Sequence, residues 1–307
     1  MSTKNKVTII GAGMVGSTAA YSLIGDDSTQ EIAMVDVNRK LVASQVMDLQ
    51  HSVPFGSFTK VKVGSYSDIK DSKVVVITAG AAQKPGETRL DLVKKNSAII
   101  GEIAPHIFKQ NPKAIVVVVS NPVDVLTYQI IKMFPAKKNQ IIGSGTVLDS
   151  ARFRFLIGQK LDVNPRSVHA YIVGEHGDSE LPLWSTAMIG NTFLDKFHKL
   201  SDREKKQIFD AAKNAAYAII AGKQATYYAI ASGITSIVRA ILFDQKTVLP
   251  ISHLLEGEYG IRNICLSMPA IVGAAGVIKK VNPEISAQEK KQLQKSAAQL
   301  KTVTKGL

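Results

Sequence analysis

A histidine sits among small and acidic residues in Gly174-Glu175-His176-Gly177-Asp178, directly after the short apolar run Val168–Val173. A base at a strand end, on a backbone slim enough for substrate to approach, is what proton transfer requires. Alone, His176 also reads as a plain turn histidine. Asp149 and Arg152 stand three apart in Leu148-Asp149-Ser150-Ala151-Arg152, so on a helix they share a face. A carboxylate near His176 would orient the ring and favour imidazolium. The guanidinium of Arg152 is a planar fork suited to gripping a substrate carboxylate. Without further context the two also read as a surface ion pair of little energetic value.

A second kind of chemistry is written near the start. Gly11-Ala12-Gly13-Met14-Val15-Gly16 follows the apolar run Val7–Ile10 and opens a helical stretch. The first glycine permits a tight turn, the second lets a pyrophosphate approach the backbone, and the third lets helix pack on strand. Gly11, Gly13, Met14, Val15 and Gly16 are therefore candidate cofactor contacts, with the helix N-terminus favouring the diphosphate. Asp36 ends the next apolar run, where a carboxylate accepts from ribose hydroxyls and repels a 2′-phosphate. NAD is expected rather than NADP, although Arg39 nearby could answer a phosphate. Two more run ends point to the same crevice. Ala79 and Gly80 follow Val74–Ile77, small enough for a cofactor to lie flat. Asn121 follows Ala114–Val119 and could anchor the nicotinamide ribose and the substrate oxygen, or be a turn residue before Pro122.

The elements that must position these groups change character midway. Val7–Ile10, Ile32–Val35, Val74–Ile77, Ala114–Val119 and Ile141-Ile142 are near-continuous apolar runs, as in parallel strands covered on both faces. Helical stretches at Met14–Ile24, Arg39–Leu49 and Leu90–Phe108 alternate with them. The expectation is an α/β fold: an N-terminal Rossmann doubly wound parallel sheet, then an α+β substrate and catalytic domain. The second half reads as helices at Ser150–Leu161, Asp202–Ala221 and Gln224–Phe243, then strands around Thr247–Leu254 and Arg262–Met268. Ser201-x-x-Glu204 and Ser286-x-x-Glu289 are capping boxes. The boundary is placed at Gly143-Ser144-Gly145, dividing a cofactor domain at 1–143 from a substrate domain at 144–307, with the ligand cleft between them.

Composition narrows the classes. The chain has 307 residues, 45% of them hydrophobic, enough for one large or two ordinary cores. Its longest apolar run, Ala114–Val119, is far below the roughly 18 residues of a membrane span, and the N-terminus lacks a signal-peptide pattern. A cytoplasmic location and no membrane partner are expected. One cysteine, Cys265, precludes an internal disulfide and reads as a buried core residue. No metal-ligand spacing is present. The net charge of +13 raises nucleic-acid binding. The lysines are spread along the chain and their densest patches are mostly pairs, so no nucleic-acid partner is expected. A catalytically silent NAD sensor or nucleic-acid binder on the same fold is the reading from another class.

Five motifs occur in order: Gly11-x-Gly13-x-x-Gly16, Gln83-Lys84-Pro85-Gly86-Glu87-Thr88-Arg89-Leu90, Ser120-Asn121-Pro122-Val123-Asp124, Leu148-Asp149-Ser150-Ala151-Arg152-Phe153 and Gly174-Glu175-His176-Gly177-Asp178. Together they resemble the lactate/malate dehydrogenase family, and its bacterial lactate-type members most. The resemblance spans almost the whole chain. It implies an NAD-dependent oxidoreductase that reduces pyruvate to L-lactate, with malate or another L-2-hydroxy acid as the alternative substrate. It also implies roles. His176 resembles the acid–base histidine, Asp149 its carboxylate partner, and Arg152 the carboxylate clamp. Arg89 resembles the arginine of a closing loop that polarises the reacting carbonyl. Thr226 resembles the threonine near the substrate side chain, and Ile230 the residue packing by the nicotinamide.

Gln83 resembles the position that separates lactate-type from malate-type members, the latter carrying arginine. Physics agrees: a second substrate carboxylate without a countercharge would cost several kcal/mol to bury. Ala82, just before it, departs from the asparagine of many bacterial members. Arg154 and His169 resemble the basic pair with which bacterial members bind fructose 1,6-bisphosphate across a subunit interface. The family also implies a homotetramer.

Overall fold

A computed structural model of the chain describes residues 5–81 and 89–304. The first half alternates strand and helix: β1 (Lys6–Ile10), α1 (Met14–Gly25), β2 (Glu31–Val35), α2 (Arg39–Ser52), β3 (Lys60–Val63), β4 (Val74–Ile77), α3 (Arg89–Gln110), β5 (Ile115–Val118), α4 (Val123–Met133) and β6 (Ile141–Gly143). The strands pair in parallel in the order β3-β2-β1-β4-β5-β6. Their side chains explain the near-continuous apolar runs. Val7, Ile9, Val74 and Val76 enter one core layer with α1 and α2, while Ile10, Val75 and Ile77 enter the opposite layer with α3 and α4. Successive side chains point to opposite faces, and both faces are covered. The strand order reverses at β1, which has β2 on one side and β4 on the other. That reversal opens a crevice beyond the strands' carboxyl ends.

The second half continues with α5 (Val147–Leu161), β7 (Val168–His169), β8 (Ile172–Val173), β9 (Leu181–Pro182), β10 (Met188–Ile189), β11 (Thr192–Phe193), α6 (Leu194–Phe197), α7 (Asp202–Lys223), α8 (Tyr228–Leu242), β12 (Thr247–Glu256), β13 (Arg262–Gly273), β14 (Gly276–Lys280) and α9 (Ala287–Thr304). Both expected capping boxes form. The Ser201 and Glu204 side chains cap α7 reciprocally, and Ser286 and Glu289 do so at α9. Cys265 is buried on β13.

Three features depart from the sequence pattern. The long antiparallel strands do not form a sheet of their own: β12 pairs with β6, so β12, β13 and β14 extend the parallel sheet to nine strands. Strand β3 escaped notice because it is an edge strand with only Val61 buried, written Lys-Val-Lys-Val rather than as an apolar run. The helical stretch expected from Gln224 starts later, at Tyr228. Gln224 instead ends α7 in the left-handed conformation, φ +69°. Among the described residues no helix is long and apolar enough to cross a membrane.

Candidate active site

Gly11 turns at φ +111°, and a Cβ there would lie 2.6 Å from the Ala79 nitrogen. At Gly16 a Cβ would lie 2.0 Å from the Gly11 carbonyl oxygen. Both positions therefore demand glycine for the chain's own packing. Gly13 differs: nothing lies within 4 Å of a Cβ built on it. It is the N-cap of α1 and offers no capping side chain, so Met14, Val15 and the first turn present backbone N–H groups to an open face. An open face, free N–H groups and a helix dipole are what a diphosphate needs.

Asp36 lies at the end of β2 and accepts from Ala12 N–H at 2.7 Å and Asn38 N–H at 2.8 Å. Its carboxylate is thereby aimed across the mouth of the glycine turn. Arg39, the cation that could have met a 2′-phosphate, donates to the Gly64 carbonyl at 3.2 Å. These residues fit NAD. Ala79 and Gly80 follow β4, and the turn is tied by Asn96, which sequence reasoning missed. The Asn96 side chain accepts from Ala81 N–H at 2.7 Å and donates to the Asn121 carbonyl at 2.7 Å. An asparagine inside a helix is a weak helix former, and that was the only available signal. Val15 and Ile230, both partly buried, pack against the same core layer.

His176, Asp149 and Arg152 come together in space. His176 Nδ1 lies 2.6 Å from Asp149 Oδ2, and Asp149 Oδ1 accepts from Arg152 at 3.0 Å. Asp149 is 2% exposed. Burial would raise its pKa, but the charge of His176 and its hydrogen bond, then Arg152, hold it below the usual carboxylate range. Burial would likewise lower His176, yet Asp149 outweighs it and lifts the imidazole to about 9. With Nδ1 engaged, Nε2 is the nitrogen left for substrate. His176 lines an open pocket of about 320 Å³ together with Asn121, Leu92 and Tyr217. A larger cavity, about 860 Å³, lies at the opposite ends of the strands between charged groups such as Lys6, Glu31, Lys62 and Asp68, away from this chemistry.

The turn carrying His176 is held from four directions. Gly174 pairs with Ser267 of β13, Glu175 N–H donates to Ser296 of α9, and Asp149 reaches in from α5. From α4, Asp124 accepts the His176 backbone N–H at 2.8 Å and the Ser252 hydroxyl at 2.5 Å. Asp124 was read only as the end of a motif, and this contact across the fold was not foreseen.

Gln83 lies outside the described residues, and Arg89 is described only as the first residue of α3. Thr226 stands half-buried in the connection between α7 and α8. Arg154 on α5 donates to the Ser150 carbonyl at 3.3 Å, beside Tyr171, and His169 is exposed on β7, which packs on α5.

Residues 5–143 match the family model for the lactate/malate dehydrogenase NAD-binding domain, and residues 146–306 match the model for the alpha/beta C-terminal domain. The chain belongs to the lactate/malate dehydrogenase family. As a member it is an NAD-dependent oxidoreductase, and its glycine turn and Asp36 sit within the family's NAD-binding domain. An L-lactate dehydrogenase of Acetivibrio thermocellus is 45% identical over 98% of this chain and 97% of its own length. One of Clostridium botulinum is 46% identical over 96% and 95%. Among solved structures, the minor L-lactate dehydrogenase of Enterococcus mundtii in its ligand-bound form superposes with a TM-score of 0.96. It is 40% identical, with 100% of this chain and 99% of that one covered. A lactate dehydrogenase from a Medee basin deep-sea metagenome library gives 0.94 at 38% identity, covering 98% of each chain.

Proposed function

We propose that this chain is an L-lactate dehydrogenase, reversibly reducing pyruvate to L-lactate. The observation that carries the reading is the chain of contacts from Arg152 through buried Asp149 to Nδ1 of His176, a residue that lines the pocket, which leaves Nε2 for substrate. Arg152 holds the substrate carboxylate bidentately. Arg89 draws on the keto oxygen, Asn121 positions that oxygen and the nicotinamide ribose, and His176 Nε2 delivers the proton. When bound, NADH supplies the hydride that goes to C2 of the keto acid. Asp149 then stabilises the imidazolium again when the reaction runs toward pyruvate. Thr226 flanks the substrate side chain. Gly11, Gly13, Met14, Val15, Gly16, Asp36, Ala79, Gly80 and Ile230 hold the dinucleotide.

Gln83 favours pyruvate, because a neutral side chain suits a methyl group and leaves a second carboxylate unpaired. Malate or a bulkier 2-hydroxy acid is the competing substrate. NADH oxidation measured with pyruvate, oxaloacetate and larger 2-oxo acids decides between them. Clear preference for oxaloacetate would overturn the lactate reading.

Arg154 and His169 are proposed to bind fructose 1,6-bisphosphate between subunits of a homotetramer, in which the charge of +13 per chain resists assembly until the anion binds. Residues 1–143 would serve the cofactor and 144–307 the substrate, although one sheet crosses the join. NAD dependence suits a cytoplasmic setting.

A further inference from the structure

Glu180 closes the turn that carries His176, just before β9. It is 7% exposed, and its backbone N–H donates to the Gly177 carbonyl at 3.2 Å. Its Oε1 is buried without a hydrogen-bond partner among the described residues. One of its carboxyl oxygens, one of Asp149 and a ring nitrogen of His176 all lie within 4.8 Å of one another. Packing does not account for this. A buried carboxyl oxygen left unpaired is costly, and two carboxylates so close cannot both ionise freely.

The charges around Glu180 come from α5, α7 and its own turn. Asp149 and Arg152 reach it from α5, and His176 from its own turn. Lys213 approaches from α7, its Nζ donating to the Asp178 carbonyl at 2.6 Å. Asp124 on α4 bears on the same imidazole, and Glu175 bears on Asp124. Tyr217 donates to Asp178 at 3.2 Å. With Arg152 and Lys213 alongside, the cluster is a poor seat for a cation and suits a proton instead.

We propose that Glu180 is a positioning residue acting through Arg152 and His176. Uncharged, it leaves Arg152 to the substrate carboxylate; ionised, it competes for Arg152 and holds the imidazolium. The inference rests on the reading of this site as a 2-keto acid reductase. Burial first, then the charge of Asp149, push Glu180 up to about 8. Below that pH the carboxyl is neutral, and Arg152, opposed by Asp149 alone, binds the pyruvate carboxylate. Above it, pyruvate binding weakens before His176 loses its own proton near 9.

Glu180→Gln keeps the shape and removes the charge at every pH. In the wild-type enzyme KM for pyruvate should rise about three- to tenfold between about pH 7 and pH 9, an effect of one nearby charge. In the variant KM should stay flat until its own imidazole deprotonates, and the alkaline limb of kcat should move down by about half to one pH unit. A variant that reproduces the wild-type KM rise, or whose alkaline limb does not move, overturns the proposal. Carbon-13 NMR of histidine-labelled ligand-free protein follows His176 Cε1 without any turnover, with Asp149, Asp124 and NAD site intact. In the wild type an inflection near pH 8 is expected, apart from those of Asp124 near 6 and His176 near 9, and its absence overturns the proposal even if the variant fails to fold. Absent activity with pyruvate alongside the inflection near pH 8 would instead remove the substrate assignment and leave the coupling standing.

Discussion

The carboxylate of Asp124 accepts the backbone N–H of His176 at 2.8 Å, across 52 residues of chain. Its other oxygen takes the Ser252 hydroxyl. Three elements therefore meet on one carboxylate, and the position of His176, the proposed acid–base residue, depends on it. Asp124→Ala would orphan a buried N–H and a hydroxyl, costing about 2–3 kcal/mol of stability. It should also lower kcat more than NADH binding. Thermal unfolding and steady-state kinetics check both; an unchanged kcat would show that the contact does not position His176.

The same residue makes a pH prediction. Burial pushes Asp124 up to about 6. A group raised in the folded state favours folding most below its unfolded pKa and loses that advantage as pH rises through the folded value. Wild-type stability should therefore decline between pH 4 and 6 relative to Asp124→Asn, which can still accept from His176. Denaturant unfolding at pH 5 and 7.5 should give Asp124→Asn the larger advantage at 7.5. The reverse order would contradict a buried charge at this position.

His176→Asn should reduce pyruvate turnover by about a hundred- to ten-thousandfold and spare NADH binding, followed by fluorescence. In Asp149→Asn the imidazole loses the charge that lifts it to about 9. The raised group is protonated below its folded pKa, so the alkaline limb of pyruvate reduction should fall toward about 6.5. A limb that stays near 9 would remove Asp149 from this role.

Gln83→Arg should shift kcat/KM toward oxaloacetate by about a hundred- to a thousandfold, the worth of roughly 3–4 kcal/mol of charge pairing. Equal ratios before and after substitution would refute the specificity assignment.

Gln224 ends α7 at φ +69°, a conformation that glycine adopts without steric penalty. Gln224→Gly should raise stability by about 0.5–1 kcal/mol, the left-handed cost less glycine's extra entropy. A lower Tm would show that the Gln224 side chain contributes more than its backbone costs.

Fructose 1,6-bisphosphate should activate the enzyme at low pyruvate and lose its effect in His169→Ala. A flat titration of the wild type would dispose of the effector site.

Local pattern carried much of this protein. The glycine turn, the parallel strands, both capping boxes and the identities of His176, Asp149 and Arg152 were legible because each depends on neighbours within a few residues or on a strict period. Strand β3 and the late start of α8 were not. An exposed edge strand has little burial to write into its sequence, and Gln224 carries no residue-type signal for the left-handed region. What only the tertiary structure decided lies between segments far apart in the chain: β12 pairing with β6, Asn96 tying the Ala81 turn to Asn121, Asp124 pinning His176, and Glu180 standing unpaired beside Asp149. Such contacts join backbone groups and buried carboxyls whose partners are set by how the layers stack, and that arrangement has no period for the sequence to show.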